Sequence, residues 1–184
     1  MDEKSRSLLA LEISARLRPA LGGLLLGVLT LLYGFGLGVV FGLNEDAIKG
    51  RLKASAETVK ATAYKGDEAA VKLVLERAWT YMKRAHLHAG GLGVNTIALA
   101  LLLVAVGAGA KETFWLPLAL GAGGLGYSIY WMWAGFLAPG LGGTTPAKEA
   151  LRWLAMPSSA AVALATLAVA AIVFRAMRTG KNEG

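Results

Sequence analysis

The sequence predicts an all-α integral membrane protein with four transmembrane helices and an extramembrane helical hairpin between the first and the second. Hydrophobic residues make up 55% of the 184 residues and charged residues only 17%, against about 25% charged residues in ordinary soluble domains. The charges are also unevenly placed. Four separate stretches carry none, and each reaches the length of about 20 apolar residues that a helix needs to cross a bilayer.

The chain divides at the borders of these uncharged stretches. Residues 1–19 are charged and form an N-terminal surface segment, residues 139–152 form a loop, and residues 175–184 form a basic tail. Because the number of spans is even, both termini are expected on the same side of the membrane. The four predicted spans are residues 20–43, 87–110, 113–138 and 153–174.

The charges around the first span predict its orientation. Arg16 and Arg18 precede it, and basic residues favour the cytoplasmic side. Glu45 and Asp46 follow it. The total count of Lys and Arg points the other way, with eleven in the two long loops and eight on the side of the membrane that holds the termini. Since the first span usually dominates topology, we expect a bacterial inner-membrane protein with both termini in the cytoplasm.

Residues 44–86 are predicted to form the extramembrane pair of amphipathic helices. Apolar side chains in residues 71–82 recur at spacings of three and four, which is the pattern of a helix with one apolar face. Gly66 and the residue after it break the pair. No proline or glycine separates the second helix from the next span, so we expect one continuous helix over about residues 67–109.

Glycines in the first span predict a helix-packing face. Gly34, Gly38 and Gly42 repeat every fourth residue, and small residues at this spacing let another helix approach closely in a membrane. The alternative is that glycine is simply common in this chain, which has 24. A packing face would serve a homo-oligomer or contacts with other membrane subunits.

The two histidines, His86 and His88, lie on either side of the start of the second span, on faces about 200° apart, so they cannot both ligate one metal ion or one haem. His86 shares its face with Gly90 and Gly93, which could leave room for a flat porphyrin. Arg84 could pair with its propionates. This face predicts a possible haem b site in which His86 is the iron ligand and a methionine or a partner chain supplies the second ligand.

His88 shares its face with Asn95, a rare amide inside an apolar span. This pair could serve quinone or proton chemistry. The simpler alternative is that both histidines lie at the membrane interface because imidazole is amphipathic. The absence of cysteine excludes thiolate metal sites and iron–sulfur clusters. The four spans contain no Asp, Glu, Lys or Arg, which removes the usual sign of ion-coupled transport.

Two functions from different classes remain. The first is a small non-catalytic integral membrane protein that acts as an assembly or anchor subunit of an oligomer or a larger membrane complex. The second is a b-type haem- or quinone-binding electron-transfer subunit that uses His86 or His88. The net charge of +7 does not indicate nucleic acid, because basic residues beside apolar spans meet lipid head groups.

Overall fold

The structure, a computed structural model, describes residues 2–179, apart from the side chains at positions 9, 10 and 179. Every regular element within that range is a helix, which confirms the predicted all-α fold. A 3₁₀ turn over Arg18–Ala20 joins the first two α-helices. The α-helices are α1 Glu3–Leu17, α2 Leu21–Glu57, α3 Glu68–Ala105, α4 Ala110–Leu137, α5 Thr144–Ala150 and α6 Arg152–Thr179.

Three stretches of the described residues are helical, long and apolar enough to cross a membrane: Glu3–Glu57, Glu68–Ala105 and Arg152–Arg178. This result is compatible with the predicted integral membrane protein. Helix α4 is not among the three, because its five glycines, three tryptophans and two tyrosines lower its hydropathy. The fourth span therefore stays a prediction.

Helices α2 and α3 run well beyond the spans predicted for them. Helix α2 continues to Glu57 and bends at Asn44, whose φ of −130° and ψ of 21° are not helical. The Asn44 side-chain amide donates to the Val40 carbonyl at 3.2 Å. Helix α3 runs without interruption over Glu68–Ala105, as predicted for that part of the chain.

The chain reverses between α2 and α3 at the predicted break. Lys65 and Gly66 have φ values of 54° and 78°, a conformation that glycine adopts readily. The Asp67 carboxylate then accepts hydrogen bonds from the N–H groups of Ala69 at 2.8 Å and Ala70 at 3.1 Å. These bonds cap the first turn of α3.

The turn between α3 and α4 comes earlier than predicted. The predicted spans 87–110 and 113–138 left only Lys111 and Glu112 for the turn, but α3 ends at Ala105 and both charged residues lie in the first turn of α4. Gly107, with φ of 69°, reverses the chain. The Glu112 carboxylate accepts the N–H of Gly109 at 3.0 Å, and this cap sets the start of α4.

Helix α4 lies at the centre of the bundle and packs against α2, α3 and α6. Its glycines allow these approaches. A Cβ added at Gly121 would lie 2.5 Å from the Leu26 Cβ of α2, and one at Gly135 would lie 2.7 Å from the Ala78 carbonyl oxygen of α3. A Cβ added at Gly123 would lie 2.8 Å from the Ser158 carbonyl oxygen of α6. These close contacts explain why α4 is rich in glycine.

The end of α6 lies beside the start of α4. Arg175 donates to the Glu112 carboxylate at 3.1 Å, and α1 packs beside the same α3–α4 turn. Of the predicted basic tail, residues 180–184 lie outside the described residues.

At the opposite end, the connection over residues 58–66 is tied to the bundle. The buried Tyr64 hydroxyl donates to the Pro139 carbonyl of the α4–α5 loop at 2.8 Å, and burial raises the pKa of Tyr64. Lys60 forms an ion pair with Glu68 at the start of α3. The Glu68 hydrogen bond raises the pKa of Lys60.

Candidate functional site

His86 and His88 contact different helices, so the structure divides the predicted histidine site into two. The His86 ring contacts α2, whereas the His88 ring contacts aromatic side chains of α4. The two rings therefore have separate surroundings and separate possible roles.

The His86 ring is held against α2 by a hydrogen bond. Its Nδ1 lies 2.8 Å from the Gly34 carbonyl oxygen. A carbonyl oxygen can only accept, so Nδ1 carries the proton and donates it. In the neutral ring the lone pair then resides on Nε2, as it does in many metal-bound histidines whose other nitrogen donates to a carbonyl.

Two of the three glycines predicted to pack contact α3. A Cβ added at Gly34 would lie 3.0 Å from the Ala89 Cβ, and one at Gly38 would lie 2.9 Å from the His86 Cε1. Gly42 is exposed, and nothing lies within 4 Å of a Cβ added there. Four residues turn a helix by about 400°, so each glycine drifts about 40° around α2 from the one before it. Within one chain, Gly42 lies off the packing face.

The two glycines that were expected to leave room for a porphyrin beside His86 differ in their surroundings. Gly93 is buried against α2, where an added Cβ would lie 2.9 Å from the Gly27 carbonyl oxygen and 2.8 Å from the Leu31 Cγ. Gly90 has open space on its Cβ side. A flat macrocycle beside Gly93 would therefore require α2 to move away.

Few further ligands surround His86. Residues 2–179 contain no group of three or more histidine and carboxylate side chains that could hold a metal ion. Met82, the methionine closest to His86 in sequence, is fully buried, and Gly135 of α4 approaches it closely. The Arg84 guanidinium lies over the ring of Trp131 of α4, and its pairing with haem propionates stays a prediction.

His88 enters a group of aromatic rings between α3 and α4, here named the aromatic cluster: Tyr81, Tyr127, Tyr130 and Trp131. The His88 ring centre lies 5.1 Å from that of Tyr127 and 6.1 Å from that of Trp131. Trp131 meets Tyr81 and Tyr130 edge-on at 4.7 Å and 5.2 Å. Such pairs contribute about 0.5–1.5 kcal/mol beyond their buried area, so the cluster gives His88 a rigid wall.

Arg84 covers one side of the aromatic cluster. Its guanidinium carbon lies 5.2 Å from the Trp131 ring centre and 5.6 Å from the Tyr81 ring centre. Cation–π attraction holds the guanidinium charge beside these two rings. Among the described residues, the Trp131 indole Nε1 is the one buried side-chain nitrogen or oxygen that has no hydrogen-bond partner.

A groove of about 280 Å³ opens beside the aromatic cluster between α3, α4 and α6, here named the His88 groove; it is lined by His88, Leu92, Tyr127, Ser159 and Val162. Asn95 lies further along α3 and is not among the lining residues, so the structure does not join it to His88. The sequence did not indicate the α6 side chains, because Ser159 and Val162 come from a distant part of the chain and carry no recognisable motif.

A second groove, of about 300 Å³, lies between the polar halves of α2 and α3 and is here named the hairpin groove; it is lined by Lys49, Leu52, Lys53, Leu75, Glu76 and Trp79. The Lys49 ammonium lies 5.3 Å from the Trp79 ring centre and pairs with Glu45. Lys53 has no ion-pair partner within residues 2–179. The hairpin groove thus combines an apolar wall with a basic edge.

No model of a known protein family, no curated protein sequence and no solved structure matches the chain. The roles of its residues therefore follow from contacts within the chain.

Proposed function

We propose that the chain is a small non-catalytic integral membrane protein whose helices α2, α3, α4 and α6 all cross the bilayer. The placement of charge supports the fourth span, because α4 carries no charge after Glu112. Helix α6 carries none between Arg152 and Arg175. Residues 153–174 extend about 33 Å at about 1.5 Å per residue, which matches the hydrocarbon thickness of about 30 Å.

The apolar outer surface supports the lipid bilayer as a partner. A soluble monomer rarely exposes a contiguous apolar patch larger than several hundred Å². Helix α2 exposes large apolar side chains along its whole uncharged stretch: Leu21, Leu25, Val28, Leu29, Leu32, Phe35, Val39, Val40 and Leu43. These side chains would meet lipid tails or the helices of other subunits.

The hairpin groove carries the proposal of an assembly or anchor function. Leu52, Leu75 and Trp79 form its apolar wall, and Lys53 offers an unpaired charge at its edge. The polar halves of α2 and α3 would form the extramembrane hairpin, which the Tyr64 hydrogen bond ties to the α4–α5 loop. A partner that docks there, either a second copy or another membrane subunit, would be held at a fixed position above the bilayer.

Photo-crosslinking in native membranes tests this function. A photoreactive residue at Leu75 lies in the hairpin groove, and one at Leu73, which is 47% exposed and does not line the groove, is the matched control. We expect one adduct of defined mass from Leu75 and none from Leu73. An adduct of two 19.2 kDa chains would indicate a homo-oligomer, and another mass would indicate a different subunit. No adduct from Leu75 would contradict the proposal.

The tautomer of His86 favours a second candidate function, a b-type haem- or quinone-binding electron-transfer subunit. The Nδ1–H bond to Gly34 leaves the Nε2 lone pair for iron. The test is an oxidised and dithionite-reduced absorption spectrum of protein purified gently from its native membrane. A Soret band that His86→Ala removes and His88→Ala retains would establish haem b. Colourless protein would reject the haem function.

For the location, we propose a bacterial inner membrane with both termini in the cytoplasm. Because the chain has no cysteine, a single introduced cysteine can be labelled without background. Thr62→Cys, in the exposed α2–α3 connection, should react with an impermeant maleimide on intact spheroplasts. Ser7→Cys, in the exposed part of α1, should react only after permeabilisation. The reverse pattern would overturn this orientation.

A further inference from the structure

We propose that Arg84 and the His88 groove bind an anionic, phosphate-bearing amphiphile of the membrane, such as a phospholipid. The Arg84 guanidinium would bind the phosphate, and the groove would hold the part of the lipid where the head group joins the acyl chains. This proposal rests on the four-span arrangement above, but it is independent of any partner at the hairpin groove.

Arg84 is pre-oriented for an anion. The rings of Trp131 and Tyr81 hold its guanidinium at 5.2 Å and 5.6 Å, so its charge stays beside the aromatic cluster. No carboxylate among residues 2–179 pairs with Arg84, whereas Arg175 near the opposite end of the bundle pairs with a glutamate. A planar guanidinium matches two phosphate oxygens at once.

Arg84 and His88, which lines the groove, lie beside the same Trp131 ring, and the groove extends from His88 toward the uncharged part of α3. His88 is one turn beyond Arg84, about 6 Å along the axis, and Tyr127 and Ser159 complete the polar part of the groove. Leu92, a further turn along, and Val162 form its apolar part. A molecule bound here would therefore meet a cation first, then polar side chains, then apolar ones. A phospholipid presents phosphate, ester and hydrocarbon in that order.

The combination of Arg84 and the His88 groove favours a phospholipid over smaller ligands. Inorganic phosphate would use Arg84 and leave the groove empty. A neutral quinone ring would use His88 and Tyr127 but would gain nothing from the Arg84 charge. At about 280 Å³, the groove is near the lower end of the size range of ligand sites, which fits the head–chain junction of a lipid whose tails stay in the bilayer.

Native mass spectrometry of the full chain in non-ionic detergent tests the proposal with phosphatidylglycerol and phosphatidylcholine. We expect wild type to retain phosphatidylglycerol preferentially. Arg84→Gln should weaken phosphatidylglycerol binding by about tenfold, the usual effect of losing a charge-assisted hydrogen bond. Lys83→Gln removes the same charge from the exposed neighbouring position and should change binding by less than about twofold. Equal losses in the two variants would overturn the proposal.

Two further experiments distinguish a lipid phosphate from free inorganic phosphate as the ligand of Arg84. Val162→Trp, which fills the apolar part of the groove, should weaken phosphatidylglycerol binding while Arg84 is intact, and unchanged binding would overturn the proposal. Inorganic phosphate at millimolar concentration should not displace the lipid; displacement would reduce the site to a simple anion site. Arg84→Lys keeps the charge and should retain part of the preference, which provides a readout if the glutamine variant fails to fold.

Discussion

Substitution of Gly135 by alanine tests whether close glycine contacts hold α4 at the centre of the bundle. An added Cβ would lie 2.7 Å from the Ala78 carbonyl oxygen and 2.7 Å from the Met82 Cγ. A carbon and a carbonyl oxygen normally approach to about 3.3–3.6 Å, so α3 and α4 would have to separate by roughly 0.6–0.9 Å. Met82 is only 1% exposed and has little space to retreat.

The expected cost follows from overpacking. Forcing one extra methyl group into a packed interface costs about 1–3 kcal/mol, and a clash with backbone favours the upper half of that range. Alanine also recovers up to about 1 kcal/mol of helix propensity. Gly42→Ala is the matched control, because it gains the same propensity and its Cβ meets nothing within 4 Å. We expect Gly135→Ala to unfold about 2–3 kcal/mol more easily than Gly42→Ala.

The assay is reversible unfolding in mixed detergent micelles, followed by circular dichroism as the fraction of sodium dodecyl sulfate rises. The comparison of the two variants removes effects of the detergent and of glycine replacement in general. If both variants unfold at the same fraction of sodium dodecyl sulfate, the α3–α4 contact at Gly135 is not tight. The central position of α4 then loses its support.

Three further predictions concern single contacts. His86→Phe removes the hydrogen bond to the Gly34 carbonyl and should lower the free energy of unfolding by about 1–2 kcal/mol; unchanged stability in the same assay would show that this bond contributes nothing. Tyr64→Phe should cost about 1 kcal/mol and speed proteolysis of the α2–α3 connection, whereas equal cleavage rates would mean that the connection is not anchored there. The Glu68 hydrogen bond raises the pKa of Lys60, so its stabilisation is complete below about pH 10.4 and is lost as the pH rises through the raised pKa. Lys60→Met should remove that alkaline decline, and an identical pH profile would refute the assignment.

Much of the helical framework could be read from local patterns. The uninterrupted α3 follows from a polar amphipathic segment that joins an apolar one without proline or glycine. The break at Gly66 follows from a residue that tolerates positive φ, with the following aspartate as the helix cap. Both are properties of a few neighbouring residues. The turn before α4 was placed too late, because the charged pair Lys111 and Glu112 marks a polar position but does not reveal which glycine adopts the positive φ.

The candidate sites were less predictable. The separation of His86 from His88 followed from helix geometry, but the arrangement of their partners did not. The sequence did not indicate that the Arg84 guanidinium lies over the rings of Tyr81 and Trp131. The glycine repeat indicated a packing face, yet Gly42 falls outside it because a spacing of four drifts around a helix of 3.6 residues per turn. The helical period predicts on which face of its own helix a residue lies, but it does not predict which neighbouring helix covers that face.

The sequence by itself determined that this chain is helical and that at least three of its helices suit a membrane, because length, apolarity and the positions of charges are local properties of the chain. The tertiary structure alone decided that glycine-rich α4 is central, that the Gly34 carbonyl accepts a hydrogen bond from His86, and that α6 completes the groove beside His88. These features depend on contacts between residues far apart in the chain, and packing in three dimensions selects them.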